Sequence, residues 1–392
     1  MSTQHLTDEP RFRVLIAGGG VAALEAALAL ADRGGEHVQT TLLAPNSEFV
    51  YRPLAVREPF GGGHAARFPL AQLAHAAGAT HVQRHLEWVD HFKRLVHTRG
   101  GPPISYDALL LALGTRMYSQ YRHATTLDPA RLDQQLHGLI QDVEAGYVKR
   151  IAFVVPLGFS WPLPVYELAL MTATRGASMG MAPQITILTP EAEPLEVFGT
   201  PASDAVARLL ARHGVKQIGG GVPQVPAARR VRINGGPGEL YVDRVFALPS
   251  LHGHAVPGIP STVSHGFITT TPQGQVRAIS GVFAAGDITS YPVKQGGIAA
   301  QQAAAVAVEL AGLAGASTRA APFQPILRGA LLSGSEPLYM QARLIGGRPA
   351  DSQVSREPLW EPAEKIDAPY LSAALASLYD GRVSVPTLAP TR

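Results

Sequence analysis

Two glycines and an alanine near the N-terminus, Gly18, Gly20 and Ala23, have the spacing G-x-G-x-x-A. They follow an apolar run at 14–16 and precede an Ala/Leu-rich segment with helical periodicity. In a strand–turn–helix unit, the first glycine permits a tight turn and the second lets the backbone approach a pyrophosphate. The small third residue lets helix and strand pack closely, and the helix N-terminus faces the phosphates. The pattern therefore predicts a dinucleotide site.

The elements that must position this turn form two α/β units. The first is predicted to contain a strand at 12–17, a helix at 21–33, a strand at 38–43, a loop at 44–68 and a β-rich stretch at 80–113. The second is predicted to contain a helix at 127–147, a strand at 151–155, a helix at 164–175, a strand at 184–188, a helix at 201–213 and a β-rich return to about 249. A buried strand at 280–287 and a long helix at 296–313 complete the first unit. A hairpin (326–332 with 338–345), Pro-rich coil and a helix at 369–379 follow.

This order predicts an α/β fold in which one Rossmann-like domain is inserted in another, with a small C-terminal α+β segment. The expected domains are 1–120 and 251–322 (the two parts of the first domain), 121–250 (the second domain) and 323–392 (a C-terminal hairpin and interface segment). A chain of 392 residues is long enough for two hydrophobic cores.

Composition narrows the class of protein. Charged residues make up only 16% of the chain, below the usual quarter, which suggests that a partner subunit or a membrane covers part of the surface. A net charge of +3 without a Lys/Arg run disfavours nucleic-acid binding. Neither a secretory signal nor a run of about twenty apolar residues is visible, so a soluble, cytoplasmic protein is expected.

The chain contains no cysteine. Disulfides, thiolate metal sites and cysteine-based redox relays are therefore excluded. The fourteen histidines show no metal-ligand spacing, so no metal is expected.

Two further motifs follow the glycine turn: LLLALGT at 109–115 and GVFAAGD at 281–287. In this order the three motifs resemble the flavoprotein superfamily with two dinucleotide-binding domains. That superfamily includes pyridine nucleotide-disulfide reductases, type II NADH dehydrogenases and sulfide:quinone oxidoreductases. The resemblance implies FAD as the cofactor, with its pyrophosphate at the first motif and its ribityl and phosphate region hydrogen-bonded by Asp287.

The cofactor site implied by this resemblance consists of Gly18, Gly20, Val21, Ala22, Ala23, Ala44, Asn46, Arg52, Val82, Ala112, Gly114, Thr115, Gly286, Asp287, Lys294 and Gly297. One position departs from the usual pattern. An acid that takes the ribose hydroxyls is expected after the second strand, where this chain has Ala44-Pro45-Asn46. Asn46 or Ser47 is the candidate for a weaker contact there. Arg52 is either a cofactor contact or a surface arginine beside a proline.

The second unit lacks a glycine turn after its first strand. Residues 155–167 read VPLGFSWPLPVYE, with three prolines and Trp161. Because proline has no N–H and bulky side chains block close approach, NAD(P)H is not expected to bind here in the usual way. The stretch resembles that of sulfide:quinone oxidoreductases, but Trp161 stands where a reactive cysteine would be. Trp161 either caps the flavin or packs in a domain interface.

Lys294 precedes the long helix at 296–313. In the family this helix points its N-terminus at the flavin, where the helix dipole stabilises the negative charge of the reduced ring. Lys294 is therefore a candidate catalytic residue beside Trp161; the alternative is a solvated lysine.

These observations favour an FAD-dependent oxidoreductase that passes electrons between a small-molecule donor and an acceptor such as a quinone, without protein thiols. Two alternatives stay open: an NAD(P)H-dependent flavin reductase with atypical nicotinamide binding, and a catalytically silent flavin-bound interaction module. Quinone use would bring a peripheral membrane contact through the hairpin or the helix at 369–379, although docking of that helix on the protein is favoured. A homodimer is a further open alternative.

Overall fold

The computed structural model describes residues 11–262, 264–319 and 322–379. Seven α-helices are present in these ranges, together with short 3₁₀ turns. They are α1 (Val21–Gly34), α2 (Leu70–Ala76), α3 (Leu132–Glu144), α4 (Leu163–Ser178), α5 (Thr200–Arg212), α6 (Gly296–Leu313) and α7 (Pro369–Tyr379). The helix predicted at 127–147 is shorter than expected, and the other predicted helices match to within three residues at each end.

The first sheet is parallel and has five strands. Their spatial order is Val282–Ala284, Ala108–Leu111, Phe12–Ala17, Val38–Leu43 and Thr80–Val82. Ala108–Leu111 and residues 14–17 of the neighbouring strand are continuously apolar and buried, because both faces of the sheet are covered there, as in doubly wound folds. The strand Val282–Ala284 pairs with Ala108–Leu111, which is the predicted return of the chain to the first unit.

The second sheet is also parallel, and it confirms the prediction of two Rossmann-like units. Its order is Thr125–Thr126, Arg244–Ala247, Arg150–Val154, Gln184–Leu188 and Val215–Ile218. The chain passes between the two units through an antiparallel pair, Thr115–Tyr118 with Ser250–Gly253. The exact bounds of the four predicted domain segments stay a prediction.

Short antiparallel sheets surround these two units. They consist of Glu48–Val50 with Arg67–Pro69, Leu86–Asp90 with Leu95–Thr98 and Ile104–Ser105, and Pro223–Ala227 with Arg230–Ile233 and Leu240–Tyr241. The loop predicted at 44–68 therefore contains two strands and a 3₁₀ helix, Arg52–Phe60. Each of these two strands has only three residues, which is too short to show an alternating pattern among the Gly, Pro and Arg residues of this stretch.

The C-terminal hairpin is present as Ile326–Leu331 paired with Leu338–Ile345. The coil predicted after it is wrong at 348–355, because a third strand, Arg348–Ser355, pairs with the second. This strand is mostly exposed or half-buried and carries polar residues, so it lacks the apolar alternation by which a strand is recognised.

Helix α7 packs on α1, and a buried carboxylate joins them. Leu371 and Leu375 are buried, while the Glu25 side chain of α1 accepts hydrogen bonds from the backbone N–H of Leu371 (2.8 Å) and Tyr370 (3.2 Å). The apolar face predicted for this helix is therefore turned to the protein. In the described part of the chain, no helix is both long and apolar enough to cross a bilayer.

Burial raises the pKa of Glu25 to about 7, although the two backbone N–H groups favour its charged form. Because this pKa lies above that of the unfolded chain, stability is expected to fall as pH rises from about 4.5 to about 7. Glu25→Gln should remove this part of the pH dependence. Urea unfolding at the two ends of this range would measure it. An equal loss of stability in wild type and variant would show that Glu25 does not titrate there.

Candidate functional site

A cavity of about 590 Å³ opens beyond the carboxyl ends of the strands of the first sheet, within the size range of ligand sites. Its wall combines the turn before α1, the N-terminus of α6, the start of α4 and a C-terminal segment at 365–366. Eleven of the residues predicted from the sequence line it: Gly20, Val21, Ala22, Asn46, Arg52, Ala112, Gly114, Thr115, Trp161, Asp287 and Lys294.

The two glycines of the N-terminal turn have different tasks. Gly18 has a φ of 138°, and a Cβ there would lie 2.1 Å from the carbonyl oxygen of Ala112. This glycine therefore lets the turn pass against the neighbouring strand end, and it does not line the cavity. Gly20 does, and a Cβ at Gly20 would have no protein atom within 4 Å. A methyl group there would enter space that the fold leaves open.

The N-terminus of α1 presents free donors to the cavity. The first hydrogen bond of the helix runs from the N–H of Leu24 to the carbonyl of Gly20 (3.0 Å). The N–H groups of Val21 and Ala22, both on the cavity wall, precede that bond, so they are left to a ligand or to water. Together with the positive end of the helix dipole, they form an anion site of the kind that holds phosphates.

Asp287 lies in the turn after the strand Val282–Ala284 and is half-buried on the cavity wall. Within the described residues its carboxylate forms no hydrogen bond. Burial raises its pKa, and the charge of nearby Lys294 opposes this rise. A half-buried acid on the cavity wall that has no donor is suited to accept hydrogen bonds from hydroxyl groups of a ligand.

Lys294 is 3% exposed, so it is not the solvated lysine of the alternative interpretation. Its Nζ donates a hydrogen bond to the carbonyl of Thr289, and the residue belongs to the cavity wall. Burial lowers its pKa to about 8, and Asp287 opposes this shift. Lys294 precedes the N-terminus of α6, whose cap is the Gln295 side chain accepting from the N–H of Ile298 (2.9 Å). A cation and a helix N-terminus thus face the cavity together.

The remaining predicted residues lie behind the wall. Ala44 donates its N–H to the carbonyl of Val82 (3.1 Å), so these two residues join neighbouring strand ends. Gly286 donates to Oε1 of Gln302 (2.8 Å), and Gly297 packs against the backbone of Asp367. With Gly18 and Ala23, these residues support the wall without lining the cavity. Their predicted contact with a cofactor stays a prediction.

Three charged residues on the wall, Glu48, Glu167 and Lys365, were not predicted as site residues. Glu167 of α4 and Lys365 of the C-terminal segment are buried and form an ion pair. The Glu167 carboxylate also accepts from the N–H of Leu332 (2.9 Å), and Lys365 donates to the carbonyl of Ala330. The pair links the second unit to the C-terminal segment across the cavity. Its members are far apart in the chain, so no local pattern could have shown their contact.

The start of α4 differs from the start of α1. Pro162 is its N-cap, Pro164 has no N–H, and the N–H of Val165 donates to the carbonyl of Pro162 (3.0 Å). In the first turn only Leu163 keeps a free N–H, so this helix lacks the donor set of a pyrophosphate site. Trp161 precedes it on the cavity wall, with its ring centroid 5.9 Å from that of Phe198. Trp161 therefore lies both on the cavity wall and against Phe198, and the choice between its two interpretations stays open.

The strand Gln184–Leu188 of the second unit is followed by an acid, the position that holds ribose hydroxyls in a dinucleotide site. That acid, Glu191, accepts hydrogen bonds from the hydroxyls of Tyr166 (2.9 Å) and Thr189 (3.0 Å). Burial raises its pKa to about 7. One oxygen of this carboxylate, Oε2, is thus engaged by the protein itself.

No protein-family model and no curated protein sequence matches the chain. Among solved structures, the sulfide:quinone oxidoreductase from the hyperthermophilic bacterium Aquifex aeolicus matches with a TM-score of 0.77 and 19% identity, over 97% of this chain and 93% of that one. A NAD-dependent persulfide reductase from A. fulgidus matches with a TM-score of 0.62 and 16% identity, over 85% and 64%. NDH2 from Plasmodium falciparum, in complex with RYL-552, matches with a TM-score of 0.65 and 10% identity, over 94% of each chain. The two parallel sheets and these matches show that this chain has the fold of those proteins, with two Rossmann-like units.

Proposed function

We propose that this chain is an FAD-dependent oxidoreductase that passes electrons between a small-molecule donor and an acceptor such as a quinone, without protein thiols. One observation carries the proposal: the free N-terminus of α1, the carboxylate of Asp287, and Lys294 at the N-terminus of α6 face one cavity. These groups match the parts of an extended dinucleotide. The helix N-terminus matches the pyrophosphate, Asp287 matches a polyhydroxyl chain, and Lys294 matches a ring that gains negative charge.

The residues present fit this group. The N–H groups at the start of α1 would hold the pyrophosphate, and the absence of a side chain at Gly20 gives it room. Asp287 would accept hydrogen bonds from ribityl hydroxyls. The flavin itself supplies the two-electron chemistry when bound. Lys294 and the N-terminus of α6 would favour negative charge on its ring, and the apolar side chains on the wall would exclude water.

The donor we propose is not NAD(P)H. The start of α4 offers few free N–H groups, and Glu191 is engaged by Tyr166 and Thr189. The acceptor is proposed by analogy: one matching structure is named for its use of sulfide and quinone. Because α7 is docked on α1, a peripheral membrane contact would have to use another surface. The cytoplasmic location and the homodimer stay predictions.

Anaerobic reduction of the purified protein tests this proposal, with the flavin band at ~450 nm as the readout. NADH, NADPH, sulfide and small thiols would each be added to wild type and to Lys294→Gln. We expect sulfide or a thiol to bleach the band, NADH and NADPH to leave it, and the variant to be reduced more slowly. Rapid reduction by NADPH with a micromolar half-saturation would contradict the proposed donor. A flavin that no donor reduces would favour a silent binding module.

A further inference from the structure

The ammonium group of Lys294 lies between two phenylalanine rings. Its Nζ is 3.9 Å from the ring centroid of Phe267 and 5.2 Å from that of Phe159. Both distances are within the range of cation–π attraction, in which the negative face of an aromatic ring stabilises a cation. The carbonyl of Thr289 accepts a hydrogen bond from the same Nζ, so these three groups surround the ammonium.

The two rings come from different parts of the chain. Phe267 is 1% exposed and is held by a pair of hydrogen bonds with Thr262. Phe159 belongs to the loop at 156–162, which stands where a second dinucleotide site would have its glycine turn. Its carbonyl accepts from the N–H of Leu251 (2.8 Å), which fixes the loop to the strand Ser250–Gly253.

We propose that Phe159 and Phe267 form a cation–π cage that keeps the Lys294 ammonium charged and pointed at the cavity. In this interpretation the loop at 156–162 does not bind a pyrophosphate; its Phe159 stabilises the charge of Lys294 at the first site instead. Phe159 and Phe267 are positioning residues, since they act through Lys294. The cage itself does not depend on the proposed function. Its consequence, a charge beside the flavin, rests on that function.

Other ionisable groups around Lys294 enter the test. Asp287 is the acid whose charge favours the ammonium form. His265 packs on both rings of the cage, with centroid distances of 5.4 Å to Phe159 and 6.3 Å to Phe267. Glu167 and Lys365 lie on the same cavity wall and form an ion pair with each other. Burial lowers the pKa of Lys294, and the rings together with Asp287 oppose that effect.

The chain has only five lysines, so each can be followed separately by NMR after labelling with lysine carrying ¹³C at the ε position. Lys294→Gln assigns the Lys294 resonance. In Phe159→Leu the apolar bulk remains but the ring face is lost. We therefore expect the acid dissociation constant of Lys294 to rise by about two- to tenfold, which means a lower pKa. Phe159→Tyr keeps the ring face and should restore the wild-type value.

The other four lysines report on the fold in the same sample, and they should titrate as in wild type. An unchanged Lys294 titration in Phe159→Leu would overturn the cage, as would an equal shift in Phe159→Tyr. Absorbance of the same sample reports separately whether flavin is bound. A protein without flavin would contradict the proposed function, whereas the titration would still decide whether the cage exists.

Discussion

Gly20→Ala is expected to lower the affinity of the chain for FAD by about tenfold or more while leaving the stability of the apoprotein nearly unchanged. The added methyl group would meet no protein atom within 4 Å, so it does not disturb the fold. It would occupy the space that a pyrophosphate needs to reach the N–H groups at the start of α1. Calorimetric titration of the apoprotein with FAD, together with urea unfolding, measures both effects.

Two further glycine variants serve as controls. Gly18→Ala would place a Cβ 2.1 Å from the carbonyl oxygen of Ala112 at a φ that favours glycine, so it should lower the free energy of unfolding by about 1–3 kcal/mol. Gly138→Ala adds a methyl group in open space on the exposed side of α3; it should leave FAD affinity unchanged and raise the free energy of unfolding by about 0.5–1 kcal/mol, because alanine favours a helix interior. FAD binding in Gly20→Ala equal to that in Gly138→Ala would contradict a pyrophosphate at this turn.

Lys365→Met is expected to destabilise the chain by about 3–5 kcal/mol, because it leaves the carboxylate of Glu167 buried without its counter-charge. Burial already raises the pKa of Glu167, and Lys365 opposes that rise. In the variant this pKa should move further above that of the unfolded chain. The loss of stability should therefore shrink as pH falls, since protonation of Glu167 then favours the folded state.

Lys93→Met is the matched control, because Lys93 is 75% exposed in its pair with Asp90. It should change the free energy of unfolding by less than about 1 kcal/mol. The double variant Glu167→Gln with Lys365→Met removes both buried charges and should recover part of the loss. Unfolding of the apoprotein in urea at two pH values measures the stability of all three variants. If Lys365→Met were as stable as the double variant, the charges of Glu167 and Lys365 would not be coupled.

The strands and turns of the first site were predictable because their information is local. The apolar runs at 14–16 and 109–111, followed by small residues, indicate buried parallel strands that end beside a ligand. The tight turn that carries Asp287 follows the same pattern. The absence of a glycine turn in the second unit is also predictable from local sequence, since prolines stand at 156, 162 and 164.

The contacts around Lys294 and Glu167 were not predictable in this way. Phe159, Phe267 and Lys294 meet only when the loop of the second unit folds over the first, and Lys365 reaches Glu167 from the far end of the chain. Each side chain alone has an ordinary structural interpretation. The strand Arg348–Ser355 was missed for a related reason: its pairing partner, and not its own residue pattern, makes it a strand.

The central claim is that the cavity beside Gly20, Asp287 and Lys294 holds FAD. The most direct measurement is to denature the purified chain and identify the released cofactor by chromatography and mass spectrometry, after incubation with excess FAD and removal of the unbound fraction. We expect one FAD per chain from wild type, and much less FAD from Gly20→Ala. A chain that retains no FAD under these conditions would contradict it.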